Sequence, residues 1–206
     1  MKIAKGCWSW VAFPLFGSAL FFILCWFSLW SLVGFIPATC VLIFFLIFFR
    51  DPERTIGNGI VAPADGAIRD IKEENDQHLI SIFMEINNVH VNRMPINGRI
   101  KQMSHFPGYH FRAWKKESDL NERVTITLET EIGDVKVVQI AGLIARRVYP
   151  YIKKGDTLKK GDRIGIIRLG SRVDVYLPVK KIKEIPVKIG DPVKAGRDTI
   201  AFINEK

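Results

Sequence analysis

The sequence predicts a mainly β (α+β) protein in which an antiparallel β domain follows an apolar helical anchor. Three observations predict it. From Val11 to Phe49 the chain carries no charged residue. From Ile60 onward, short runs that alternate apolar and polar residues are separated by glycine, proline and asparagine turns. Between Ile152 and Arg197, an eleven-residue segment centred on Gly-Asp recurs. A chain of 206 residues has room for one domain with its own core in addition to the anchor.

The uncharged run is roughly twice the length one membrane-spanning helix needs, and a soluble domain could not hide so much apolar surface. Ser31, Gly34 and Pro37 sit near its middle and divide it into helices expected at approximately 11 to 30 and 36 to 49, although one long tilted helix also satisfies the pattern. Lys2 and Lys5 precede the run, and Arg50 and Arg54 follow it. The positive-inside rule then favours a hairpin with both ends in the cytoplasm. Trp8, Trp10, Trp26 and Trp30 are its expected interfacial anchors. At Arg50-Asp51-Pro52-Glu53-Arg54 the composition changes abruptly. The domains are therefore read as an anchor over 1–50 and a β domain over 51–206, held on the cytoplasmic face of the cell membrane.

Strands are expected at 60–62, 67–71, 78–84, 89–92, 124–129, 135–140, 163–168 and 173–177, with short helical turns at 144–149 and 113–120. The recurring segments run from Ile152-Lys153-Lys154-Gly155-Asp156 to Gly161-Asp162, and from Val187-Lys188-Ile189-Gly190-Asp191 to Gly196-Arg197. Both resemble the hairpin of biotinyl and lipoyl carrier domains. Two copies are too few for a solenoid, so a pseudo-symmetric barrel or sandwich with lipoyl-like hairpins is expected. The same likeness supplies an alternative function, a non-enzymatic membrane-anchored adaptor or carrier. A carrier needs a modifiable lysine at a hairpin tip, and the usual Met-Lys-Met or Asp-Lys-Ala context is absent.

Cys7, Cys25 and Cys40 all lie in the apolar segment, which argues against a disulfide framework or a cysteine metal site in the β domain. No His, Cys or Asp cluster has metal-ligand spacing, and no glycine-rich phosphate loop is present. Net charge is +9, and +7 remains on residues 50–206 once Lys2 and Lys5 are set aside. Without a nucleic-acid motif, and beside an apolar anchor, that charge points to an anionic lipid surface.

In the stretch Gly165-Ile166-Ile167-Arg168-Leu169-Gly170-Ser171-Arg172-Val173-Asp174-Val175-Tyr176-Leu177-Pro178, a Gly-Ser pair interrupts a strand pattern. Such a glycine marks a bulge, a tight turn or a place of close backbone approach. The Ser171 hydroxyl stands within reach of the preceding carbonyl, the geometry of an intramolecular acyl shift. This stretch resembles the self-cleavage motif of the short-form phosphatidylserine decarboxylase family, including its archaetidylserine decarboxylase members. Ala62-Pro63-Ala64-Asp65-Gly66, Val89-His90-Val91-Asn92-Arg93-Met94-Pro95, Asn121-Glu122-Arg123 and Gln139-Ile140-Ala141-Gly142-Leu143-Ile144-Ala145-Arg146-Arg147 agree in order. The resemblance covers nearly all of the chain after residue 50.

The resemblance implies a reaction. Ser171 attacks the Gly170 carbonyl, and the chain is cut into a β chain, 1–170, and an α chain, 171–206, whose first residue becomes a pyruvoyl group. That ketone takes the amine of a phosphoserine-headed membrane lipid as a Schiff base, and carbon dioxide leaves, giving the ethanolamine lipid. The resemblance also implies that Asp65 and His90 serve as the acid–base groups. Longer members carry two histidines three apart; here Arg93 stands in the second place and cannot be a general base at neutral pH. His105 and His110 are the reserves, both expected on a surface loop. The motif is also Leu-Gly-Ser-Arg, where the long forms have Leu-Gly-Ser-Thr. Arg146, Arg147, Arg172 and Arg123 are candidates for the headgroup phosphate, with Glu122 and Arg123 readable also as an ion pair. The expected partners are the membrane, the lipid and the second fragment of the cut chain, with a higher oligomer left open.

Overall fold

The computed structural model describes residues 2–109, 120–142, 147–168 and 171–204. The chain divides into two compact units, Met1–Pro52 and Glu53–Lys206.

The first unit is a pair of antiparallel helices, α1 (Trp8–Leu24) and α2 (Leu32–Phe48). Trp10 meets Phe45 edge-on at 5.8 Å, Ser18 and Thr39 hydroxyls lie 2.8 Å apart, and Phe22 packs on Phe35 at 5.7 Å. At the open end Ala4 N donates to Phe49 O, and Asp51 N to Lys2 O. The segment Leu29–Phe48 is long and apolar enough to cross a membrane, whereas Trp8–Leu24 is shorter. The chain reverses earlier than expected, with Ser28 extended at φ −156° and ψ 127°. Gly34 and Pro37 lie inside α2, so neither breaks the run. A Cβ on Gly34 would lie 2.3 Å from the Phe21 ring, so its smallness serves helix contact. Pro14 and Pro37 are kept within helices because an apolar run offers the freed backbone no better alternative.

The second unit is mainly β. Its strands are β1 (Ile60–Val61), β2 (Gly66–Glu74), β3 (Gln77–Met84), β4 (Val91–Arg93), β5 (Gly98–Phe106), β6 (Arg123–Thr130) and β7 (Gly133–Ile140). There follow β8 (Val148–Pro150), β9 (Thr157–Leu158), β10 (Arg163–Ile167), β11 (Ser171–Pro178), β12 (Ile182–Glu184), β13 (Pro192–Val193) and β14 (Thr199–Ile203). One antiparallel sheet has the order β13-β2-β3-β11-β7-β6-β5-β9, and two three-stranded sheets have the orders β4-β10-β8 and β1-β14-β12. Alternation on β6 buries Val124, Ile126 and Leu128, and these join Ile80, Ile82, Val173, Val175 and Ile164 in one core.

The registers show an internal two-fold repeat. Along the large sheet, β13-β2-β3-β11 is answered in reverse by β9-β5-β6-β7. Pro192 and Val193 pair with Ala67 and Gly66, as Thr157 and Leu158 pair with Arg99 and Gly98. Both hairpins are irregular at the same place, between Ile68 and Asp70 and between Ile100 and Gln102. Val61 N donates to Pro95 O at 2.9 Å and Arg93 N to Pro63 O at 2.8 Å, a reciprocal pair across the axis. The related segments are Ala62-Pro63-Ala64-Asp65-Gly66-Ala67-Ile68 and Met94-Pro95-Ile96-Asn97-Gly98-Arg99-Ile100.

The Gly-Asp segments complete each half. Lys153 N donates to Asp156 Oδ2 at 2.9 Å and Lys188 N to Asp191 Oδ2 at 2.8 Å, while Gly155 and Gly190 turn the chain at φ +93° and +97°. Gly155 N then docks on Ile100 O, and Gly190 N on Ile68 O.

Two expectations are corrected. Residues 148–150 form β8, paired to β10 through Val148 and Ile167, so the end of the helical turn expected at 144–149 is strand. Its residues 144–146, and 113–119 of the other expected turn, lie outside the described residues. Strands β5, β9 and β12 to β14 were not expected: β9, β12 and β13 have only two or three residues, whereas β5 and β14 are longer and were missed. A sharp consequence concerns Gly66. A Cβ there would sit 2.0 Å from Phe83 O. Gly66→Ala is therefore expected to cost about 3 kcal/mol, lowering Tm by about 6–12 °C in thermal denaturation. An unchanged Tm would show that the β2–β3 contact yields freely.

Candidate active site

The chain changes sheets at the Gly-Ser stretch. Strand β10 ends at Ile167 in the β4-β10-β8 sheet, and β11 begins at Ser171 in the large sheet. Leu169 and Gly170 lie outside the described residues. Ser171 is fully buried opposite Met84, and its Oγ donates to Met84 Sδ at 3.3 Å. A thioether is a weak acceptor, so the hydroxyl is aimed without being strongly held. In the other half the matching pair is Thr130 and Gly133, closed by a two-residue turn. The serine thus occupies a hairpin end that the repeat opens instead of closing.

His90 precedes β4 and is fully buried. Its Nδ1 lies 2.9 Å from Asn88 O, which places the proton on Nδ1 and the lone pair on Nε2. Ile167 N donates to His90 O at 3.3 Å, so the histidine's backbone flanks the last residue before the crossing.

Asp65 opens the way into β2. Its Oδ2 pairs with Arg54 at 2.7 Å, and its Oδ1 accepts Ala195 N at 2.8 Å. These partners, not His90, hold it. Asn97 is its counterpart in the repeat and accepts Lys160 N at 2.7 Å in the same way. Half of the work of Asp65 is therefore a turn contact that an amide performs equally well. The ion pair with Arg54 is the part that only a carboxylate can make. Ala67 pairs with Phe83 and Phe83 with Arg172, so the start of β2 lies two strands, roughly 10 Å, from the start of β11.

Three side chains that the sequence pattern did not single out form a buried chain of contacts leading from the serine. Besides Met84, these are Asn92, whose Nδ2 reaches Met84 Sδ at 3.7 Å, and Gln139, whose Nε2 donates to Asn92 Oδ1 at 2.7 Å. Both are fully buried. Polar residues inside an otherwise apolar alternation were the available signal.

The remaining candidates fall elsewhere. Arg93 donates to Gly161 O at 3.0 Å, a structural contact beside the turns. Arg172 pairs with Asp174 at 3.0 Å, and Ser81 donates to Asp174 at 2.7 Å. Alternation along β11 puts Arg172 on the opposite face from Ser171. There it shares a cleft of about 330 Å³ with Arg123, Lys136 and Tyr176. Arg123 stacks over Phe106 at 4.8 Å, while Glu122 accepts Val148 N and lies 3.2 Å from His105 Nε2, so Glu122 and Arg123 are not paired with each other. His105 belongs to strand β5, not to a surface loop. Arg147 is exposed just before β8. Arg146 and His110 lie outside the described residues. Among the described residues no group of three His, Cys, Asp or Glu is placed to hold a metal ion.

Comparisons with known proteins fall on the same segments. The phosphatidylserine decarboxylase family profile matches residues 41–201. A phosphatidylserine decarboxylase proenzyme of Streptomyces avermitilis is 45% identical over 163 residues, covering 78% of this chain and 75% of its own. In Methanosarcina acetivorans, a proenzyme provisionally named as an archaetidylserine decarboxylase is 42% identical over 207 residues, covering 98% of this chain and 97% of its own. A protein of the same provisional name from Halobacterium salinarum is 41% identical over 205 residues, 97% of this chain and 99% of its own. The protein is a decarboxylase, and thus a carboxy-lyase. It belongs to the phosphatidylserine decarboxylase family.

Proposed function

We propose that the chain is a self-processing, pyruvoyl-dependent decarboxylase of a phosphoserine-headed membrane lipid, archaetidylserine or phosphatidylserine, and that it yields the ethanolamine lipid and carbon dioxide. The observation that carries this reading is Ser171, fully buried at the point where the chain passes between sheets. Its hydroxyl rests on a thioether and not on a charged group.

In the cut, Ser171 Oγ bonds to the Gly170 carbonyl carbon as the Gly170–Ser171 C–N bond breaks. The hydroxyl proton passes to a base, and the freed amine takes one up. Elimination across Cα–Cβ of residue 171 then releases Gly170 as a carboxylate. The enamine left behind becomes an imine, and one water replaces its nitrogen, releasing ammonia. The ketone so formed supplies the electrophile and electron sink that decarboxylation of an α-amino acid requires. A fully buried position beside Met84 suits it, because water is kept from the ketone. His90 Nε2 is the first proton acceptor, and Asp65 with Arg54 sets the charge at the start of β2. His90→Ala is expected to slow cutting or turnover by about 100-fold or more; normal rates of both would remove His90 from the scheme.

We assign the apolar hairpin to the membrane, with the β domain on its cytoplasmic side, and the β domain to a pseudo-symmetric barrel or sandwich whose Gly-Asp hairpins are lipoyl-like. The arginine candidates remain the groups for the headgroup phosphate; from the cleft holding Arg123 and Arg172, a headgroup meets residue 171 only around the end of β11. The test is release of carbon dioxide from serine-headed lipid vesicles by the purified protein. Turnover of ether- or ester-linked lipid, whichever is faster, names the substrate. Absence of release from both by a cut protein would contradict the proposal.

A further inference from the structure

Two polar side chains in the core answer no need of the fold. In the repeat, the axis exchanges β7 and β11, so that Gln139 facing Val124 corresponds to Leu177 facing His78. Likewise Asn92 pairing with Gly165 corresponds to Ile60 pairing with Ala201. Leu177 and Ile60 are fully buried and apolar. The same packing is thus achieved without polar atoms at the equivalent end of the sheet, where Gly133 stands in place of Ser171.

The hydrogen bonds fix the orientation of the Gln139 amide. Its nitrogen is committed to Asn92 Oδ1, because Asn92 Nδ2 is turned to Met84 Sδ. Its carbonyl Oε1 is left over, buried and without a hydrogen-bond partner among the described residues. A buried acceptor without a protein partner contributes nothing to the fold and calls for another explanation. Gln139 pairs with Val173, two residues along β11 from Ser171 and on the same face. Such diagonal neighbours stand about 7 Å apart. An amine bonded to residue 171 fits that interval.

Resting on the decarboxylase reading above, we propose that Gln139 Oε1 receives the N–H of the substrate's serine amine as its nitrogen approaches residue 171. The amine must arrive neutral, with its lone pair on the electrophilic carbon. An amide carbonyl accepts the N–H but does not hold the nitrogen as ammonium, as a carboxylate would. A headgroup whose nitrogen is fully methylated has no N–H to offer and is refused.

Gln139→Met keeps the volume and removes the acceptor. Gln139→Glu keeps an acceptor but makes it anionic. Each is compared with the wild-type chain by intact mass, by KM and kcat on phosphatidylserine vesicles, and by cyanoborohydride capture of O-phosphoserine as mass added to fragment 171–206. We expect Gln139→Met to be cut normally, since Oε1 holds no hydrogen-bond partner among the described residues. Its KM should rise about tenfold, capture should slow in proportion, and kcat should fall less. Gln139→Glu should capture the amine only at higher pH than wild type, because the carboxylate favours ammonium, and this variant decides the matter if the methionine protein does not fold. Wild-type KM and capture in cut Gln139→Met, a wild-type pH profile in Gln139→Glu, or a folded Gln139→Met that stays uncut would each overturn the assignment. An uncut, inactive wild-type chain would instead defeat the decarboxylase reading itself.

Discussion

Replacing Ser171 by alanine leaves one uncut chain of 206 residues with no decarboxylase activity. The expectation rests on what the hydroxyl does and does not contribute. Its neighbour is a thioether, and the position is fully buried. Removing one oxygen from such a weak hydrogen bond costs no more than about 1 kcal/mol, so the variant folds. Cutting is another matter. Without Oγ nothing can bond to the Gly170 carbonyl, and without the cut residue 171 offers no ketone. Gel electrophoresis shows the single band, and carbon dioxide release from lipid vesicles shows the lost activity. An active Ser171→Ala protein would end the pyruvoyl account.

Asp65→Asn should keep the fold while slowing self-cleavage by about 100-fold or more. The internal repeat makes this variant informative. Asn97 accepts the Lys160 amide in the place where Asp65 accepts that of Ala195, so the side-chain amide already serves this turn. The ion pair with Arg54, at 2.7 Å and with both side chains nearly buried, is what the substitution breaks. Leaving Arg54 without its anion costs some stability. The Tm should nevertheless fall less than for Asp65→Ala, which loses the turn contact as well. Cleavage at the wild-type rate in Asp65→Asn would confine Asp65 to a structural role; equal Tm values for the two variants would contradict the equivalence with Asn97.

The mainly β class and most long strands were legible because they alternate and are bounded by glycine, proline or asparagine. β3 and β6 are of this kind. Strands β9 and β13 were not, since they have two residues each and owe their pairing to β5 and β2, and the nine-residue β5 itself was missed. The uncharged run announced helices, but their reversal at Cys25–Ser28 did not show: inside such a run Gly34 and Pro37 are tolerated. At the site, Ser171, Asp65 and His90 stood out through motif resemblance. Asn92 and Gln139 did not, although both lie inside quoted segments. Their meaning depends on a repeat whose mates, Ile60 and Leu177, share no residue type with them. Only strand registers bring these positions into correspondence.

Intact mass of the purified protein tests the central claim most directly. Two fragments meeting between Gly170 and Ser171 are predicted, the smaller lighter by one ammonia than a peptide beginning with serine. A single uncut chain from membranes that decarboxylate the lipid would contradict self-processing, and the adaptor-like hairpins would then be the better guide to what this β domain does.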